Sequence, residues 1–292
     1  MRISLASVSC LLLALCAGLS SCGEPTRPAP PPHEVLPVPD KLVVLTFDDG
    51  VRSHITVARP KLLEYGFGAT FFITHGFSFP TNKTDYLTWE EIAQLSADGF
   101  EIGNHTGNHA AATGAGAVGL PEQLAVIDAA CEEHGVPKTR SFAWPGNVIG
   151  REGWEALRDY GMWLGRRGGT PEFDRKTGDG PTYDPSIDDP LLIPSVAVPH
   201  PGWSVERMIE AAEKARDGKI AVFQFHGVPE GEHPLTSVEP ELFLSFLDYL
   251  HAQDYRVIAL RDVEAYIDRA RLSEDPFLDL ARRLGRPEED AR

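Results

Sequence analysis

Lys41-Leu-Val-Val-Leu-Thr-Phe47 is an unbroken apolar run with two β-branched valines, and it runs straight into Asp48-Asp49-Gly50. A run of this length and composition, closed by a turn signal, predicts a strand buried on both faces. Such strands occur in parallel sheets covered by helices. Moving outward, the pattern repeats. A helix is expected over 60–65, then the strand Gly68-Ala-Thr-Phe-Phe-Ile-Thr74. Thr88-Trp-Glu-Glu91 reads as a capping box opening a helix that runs to about Ser96. Short strands follow at 99–102 and 141–144, with a helix at 121–134 between them. A helix over 152–160 leads to an apolar stretch at 162–164. A helix at 204–216 precedes the strand Lys219-Ile-Ala-Val-Phe-Gln-Phe225, and a helix at 240–253 precedes a last strand at 255–260. Alternating strands and helices predict an α/β fold with parallel strands inside and helices outside. The number of units suits a distorted or incomplete (β/α) barrel spanning 41–270, with 271–292 as a short docking helix or tail.

The N-terminus reads differently. Arg2 followed by the mostly apolar 11–19 resembles an export signal, and Leu19-Ser20-Ser21-Cys22 resembles a bacterial lipobox. The expectation is a signal peptide over 1–21 and a diacylglyceryl group on Cys22, so that the chain is held at a membrane by acyl chains. Gly23 after Cys22 favours the outer membrane in bacteria that have one, on its periplasmic or cell-surface side. Residues 22–40 carry seven prolines, and at about 3.1 Å per residue this tether holds the domain roughly 50 Å from the lipid. Cys10 and Cys16 leave with the signal, so Cys131 is the one thiol left and no intramolecular disulfide is expected. Stability must then come from the core, for which 42% hydrophobic residues suffice.

The formal charge is −16, and no basic cluster could follow a phosphate backbone, so nucleic acid is excluded as a partner. An acidic surface also repels polyanions. No sequence feature points to a protein partner.

Three polar clusters each stand just after an expected strand: Asp48-Asp49, then His105 with His109, then His226. The C-terminal ends of parallel strands converge on one face of a barrel, where active sites of such folds lie. On one helical turn His105 and His109 share a face and can reach a single ion, and a carboxylate from a neighbouring strand would complete an open, catalytic zinc-type set. Taken singly, each cluster has a bland alternative: solvated loop histidines, a capping Asp pair, a structural histidine at a strand end.

These motifs, in this order, resemble those of the polysaccharide deacetylases of carbohydrate esterase family four. Thr46-Phe47-Asp48-Asp49-Gly50 is similar to the family's first motif, His105-Thr106-Gly107-Asn108-His109 to its second, and Phe223-Gln224-Phe225-His226 to its last. Ala69-Thr70-Phe71-Phe72 and Glu101-Ile102-Gly103-Asn104 also follow its flanks. The resemblance implies that Asp49, His105 and His109 hold a divalent metal, usually Zn2+. It further implies that Asp48 is the general base, that His226 is the general acid, and that the substrate is an N- or O-acetylated saccharide. The third motif departs from the family: Phe142-Ala143-Trp144-Pro145-Gly146-Asn147 has Ala143 where an Arg that contacts the base is common. Arg166 or Arg167 is expected to supply that cation, Gly146 a backbone N–H for an oxyanion, and Trp144 a stacking surface for sugar. Trp203 is a second stacking candidate, and His75 is placed near the pocket. Asp262, after the last strand, is the candidate acid partner of His226. Two other functions remain open on the same residues: hydrolysis of a small cyclic amide or imide, and a sugar-binding lipoprotein without catalysis. The complete set Asp48, Asp49, His105, His109 and His226 argues against the last.

Overall fold

The apolar run forms the middle of a curled parallel sheet. The computed structural model describes residues 34–173 and 179–287. The described residues contain seven strands: β1 Leu42–Phe47, β2 Thr70–Ile73, β3 Glu101–Asn104, β4 Ser141–Ala143, β5 Leu164–Arg166, β6 Ala221–Phe225 and β7 Arg256–Ile258. Their order is β5-β4-β3-β2-β1-β6, every pair is parallel, and β7 adds to the first half of β1. The helices are α1 Arg59–Tyr65, α2 Trp89–Ala97, α3 Ala115–Val118, α4 Leu120–Glu133, α5 Arg151–Tyr160, α6 Val205–Ala212, α7 Pro240–Ala252 and α8 Pro276–Arg283. The expected capping box is present: Glu91 N–H donates to Thr88 Oγ1, and Thr88 N–H donates back to Glu91 Oε2.

Between β5 and β6 the barrel is closed by an irregular segment that sequence periodicity did not reveal. Ile193 bridges Arg166 on one side, and Ala197 bridges Phe223 on the other. Pro190 and Pro194 interrupt this stretch, and a proline cannot donate to a ladder, so it pairs at isolated points instead of forming a strand.

All six residues of β1 are buried, as expected for a strand between two apolar layers. Phe47 stacks on Phe71 and Phe225, with ring centroids 4.9 Å and 5.4 Å away, and Phe243 from α7 meets it edge-on. This aromatic cluster packs the face of the sheet that α7 covers and holds β1 firmly in place. Val38 packs against the barrel and Leu36 N–H donates to Ala265 O, so chain attachment begins a few residues before Lys41. At the other end α8 is a docked helix: Leu280 and Ala281 are buried, and Phe277 meets Trp154 edge-on. Cys131 is a buried free thiol. Among the described residues no helix is long and apolar enough to cross a membrane. The expected signal peptide, lipidation at Cys22 and most of the proline tether lie outside the described residues.

Candidate metal centre

Asp48 continues the β1 ladder, its N–H donating to Phe225 O, and Asp49 then turns into the left-handed region at φ 70°. An extended strand would send these two adjacent carboxylates to opposite faces, and the turn lets both face the same centre. Asp49 meets His105 and His109: Asp49 Oδ1 lies 3.5 Å from His105 Nε2 and 3.6 Å from His109 Nε2, and the two Nε2 atoms are 3.1 Å apart.

The histidines reach this geometry by a route other than the expected helical turn. Residues 105–111 form a loop, with Thr106 at φ 66° and His109 at φ 56°. Asn104, the last residue of β3, organises it. Its Oδ1 accepts from Thr106 N–H, while its Nδ2 donates to Leu124 O and Thr139 Oγ1. A side-chain amide bonded to backbone two residues on is a standard way to turn a chain. The strand carrying Asp49 is also not adjacent to β3, since β2 lies between them; curling of the sheet closes the gap.

The donor set fits a cation. Asp49, His105 and His109 offer ligand atoms all within 4.8 Å of one another. Four ligands arranged tetrahedrally at about 2.0–2.1 Å would stand roughly 3.3 Å apart, close to the three separations above. Asp49 Oδ1 is buried and has no hydrogen-bond partner among the described residues, an expensive state for a carboxylate oxygen without a positive charge to face. His105 Nδ1 donates to Ala143 O at 2.8 Å, which leaves the Nε2 lone pair free for a metal. Burial pushes the pKa of His105 down to about 3 and lowers that of His109, so both rings are neutral ligands near pH 7. Burial, then the charges of Asp48 and Glu230, raise the Asp49 carboxyl well above the carboxylate range, a cost that a bound cation would remove.

Asp48 is held from two sides. Arg166 Nη2 donates to Asp48 Oδ1, and Gln224 Nε2 donates to Oδ2 at 3.0 Å. Arg166 is itself fully buried, lies over the Phe72 ring, and donates from Nη1 to Asn147 Oδ1. Burial alone would raise the Asp48 pKa, but Arg166, His105 and His226 outweigh it and hold the carboxyl at about 2. Of the two arginines considered from sequence, Arg166 therefore occupies the place of the missing cation. Arg167 turns away to Glu172 and the carbonyls of Leu192 and Thr170. His226, just past β6, has Nε2 4.0 Å from Asp48 Oδ2. That is too far for a hydrogen bond and near enough for both groups to reach one small reactant.

Three expectations are corrected. Trp144 is fully buried, with its indole N–H donating to Leu191 O, so it is core and offers no sugar surface. Trp203 is likewise buried, beneath Arg207. Asp262 does not approach His226: β7 pairs only with Leu42 to Val44, so the segment after β7 emerges near the N-terminal end of the barrel. There Asp262 accepts from Ala259 N–H, and Leu260 N–H donates to Thr70 Oγ1 at the start of β2. His226 Nδ1 has no hydrogen-bond partner among the described residues. His75 is half-buried and accepts from Trp89 Nε1, a packing role. Gly146 is exposed on the loop after β4 in a left-handed conformation, φ 61°, beside the Arg166-bonded Asn147. Gln224 and Asn147 were missed as functional residues; the only available signal for Gln224 was an amide in the middle of an apolar strand.

Comparison with known proteins agrees with this geometry. Residues 36–164 match the polysaccharide deacetylase family model. A peptidoglycan-N-acetylglucosamine deacetylase of Bacillus cereus is 37% identical over 75 residues, 25% of this chain and 32% of that protein. A putative polysaccharide deacetylase of Bacillus subtilis is 36% identical over 70 residues, 24% of each. The chain thus matches a third or less of the length of these relatives. Among solved structures, the Bc1960 peptidoglycan N-acetylglucosamine deacetylase superposes with a TM-score of 0.52 at 16% identity, covering 77% of this chain and 89% of that one. The Xyl-CE4 domain of a multidomain xylanase from the hindgut metagenome of Trinervitermes trinervoides gives 0.50 at 17%, covering 77% and 90%. These two likenesses speak for the fold. The segment that matches the polysaccharide deacetylase family model contains Asp48, Asp49, His105 and His109, and the curled parallel barrel is the fold that these solved structures share with this chain.

Proposed function

We propose that the chain is a metal-dependent hydrolase that removes N- or O-linked acetyl groups from a carbohydrate. The observation that carries this reading is the meeting, at one end of the barrel, of the Asp49–His105–His109 donor set with the Asp48–His226 pair. Asp49 Oδ1 and the Nε2 atoms of His105 and His109 would hold the ion, with Zn2+ favoured by two imidazoles and one carboxylate. A divalent ion there supplies charge that acidifies a water and polarises an acetyl carbonyl.

The chain's own residues do the rest. Asp48, ionised at any ordinary pH and fixed by Arg166 and Gln224, accepts the proton of the attacking water. His226 returns a proton to the departing nitrogen or oxygen, on the other side of the gap that separates it from Asp48. The exposed Gly146 N–H, on the loop after β4 and next to Asn147, would stabilise the oxyanion of the tetrahedral intermediate. Leu19-Ser20-Ser21-Cys22 supports export and lipid anchoring of the enzyme at a membrane surface. The name of the Bacillus cereus relative, a peptidoglycan-N-acetylglucosamine deacetylase, supports an acetylated saccharide as the substrate class.

The test is acetate release from a panel of N- and O-acetylated saccharides by protein as purified, after chelation and after metal is restored. About one divalent ion per chain by elemental analysis and activity that follows the ion are expected. Absence of acetate release across the panel, or activity indifferent to chelation, would overturn the proposal.

A further inference from the structure

Beside His109 stand three groups that hydrolysis itself leaves unassigned. Phe77, on the loop after β2, is 45% exposed, and its backbone sits at φ 55°, a strained region for a bulky residue. Its ring centroid is 4.4 Å from that of His109 and 4.5 Å from that of His233. His233 is partly exposed, and its Nδ1 lies 2.6 Å from Oε1 of Glu230, whose side chain is buried. Glu230 is locked in turn: its Oε2 accepts from Gly227 N–H and its own N–H donates to Ser237 Oγ. Two glycines permit the close approach. A Cβ at Gly76 would lie 2.7 Å from His109 Cβ, and one at Gly227 would lie 2.1 Å from Glu230 Cβ.

A buried carboxylate is costly unless it is bonded, and here its bond is spent on orienting a partly exposed imidazole. Nδ1 of His233 is the ring nitrogen paired with Glu230 Oε1, which leaves Nε2 as the nitrogen available to a ligand. An exposed ring held in a strained backbone next to an oriented imidazole matches what a small-molecule site needs: an apolar surface with a few fixed polar groups. A pyranose ring has the complementary surface, a C–H face rimmed by hydroxyls.

We propose that Phe77 and His233 form a sugar-binding subsite next to the metal centre. Phe77 takes the C–H face of a pyranose, His233 Nε2 accepts a hydroxyl proton, and Glu230 orients the imidazole. The subsite rests on the reading of the centre as one that acts on saccharides. It sets which sugar unit is presented to Asp48 and His226.

The test is calorimetric titration of the full chain, in a D48N background that leaves the sugar intact, with an N-acetylglucosamine tetramer and with acetylated xylotetraose. Phe77→Gly is expected to weaken binding of at least one probe about tenfold, the worth of one aromatic contact. Its Tm should stay level or rise, because glycine suits φ 55°. His233→Ala should show a comparable loss, and His233→Gln, whose amide oxygen also accepts a hydroxyl proton, should recover part of it. A control at exposed Val118, V118S, should bind as the parent does. Unchanged affinity in both F77G and H233A, or a parent that binds neither probe, overturns the subsite. Affinity lost in both variants, in a chain whose wild type releases no acetate from any saccharide, keeps the subsite and removes the hydrolytic reading. Acetate release by the wild type with unaltered affinity in the variants does the reverse.

Discussion

Replacing Arg166 by Met isolates the most consequential contact at the centre. Arg166 and Asp48 are both buried, and Asp48 Oδ1 has Arg166 as its donor. Removing one partner of a buried ion pair leaves an uncompensated charge and costs about 3–5 kcal/mol. For a domain of this size that lowers Tm by roughly 6–20 °C, taking about 2–4 °C per kcal/mol. Activity should fall through Asp48. Its folded pKa lies below the ordinary 3.8, at about 2, so the stability it contributes is present above pH 3.8 and is lost as pH falls from there through 2. Without the guanidinium, burial dominates and the pKa rises, so the acid limb of the pH–rate profile should move to higher pH. The double variant D48L/R166M removes both charges and should regain most of the lost stability while remaining inactive. The assays are thermal unfolding, metal content and acetate release against pH for R166M, R167M and the double variant. R167M should leave the acid limb in place, because Arg167 bonds Glu172 and backbone carbonyls. An R166M protein with wild-type Tm and an unshifted acid limb would refute the reasoning.

The adjacent aspartates should separate cleanly. Asp48→Asn should keep the metal and lose about 10²–10⁴-fold in rate, whereas Asp49→Asn and His105→Ala should lose metal first, as elemental analysis will show; a metal-free Asp48→Asn beside a fully active Asp49→Asn reverses the roles. His226→Ala should retain metal and slow release from N-acetyl substrates more than from O-acetyl esters, whose alcohol leaves more readily; equal slowing of both argues against a proton donor. Native protein should partition into detergent and Cys22→Ser should be released or left unprocessed, and an intact mass without lipid on Cys22 rejects the anchor.

Local pattern was enough for the elements and for most of the site. The period and composition of 41–47, 219–225 and their counterparts specify buried parallel strands, because such strands need apolar residues on both faces wherever they lie in the sheet. Asp48, Asp49, His105, His109 and His226 were legible for a related reason: residues just past parallel strands must converge at one end of a barrel. Long-range placement was not legible. That Arg166 and not Arg167 faces Asp48 depends on where β5 starts, and a one-residue shift sends each side chain to the opposite face. Sequence placed that strand at 162–164, and it runs from Leu164 to Arg166. Trp144 and Asp262 failed as site residues for the same kind of reason. Trp144 turns into the core to bond Leu191, and β7 joins β1 too low for Asp262 to rise to the rim. Gln224, Phe77, Glu230 and His233 come together with the site only through loop closure and sheet curl. Those are set by packing between segments far apart in the chain, which no local periodicity encodes.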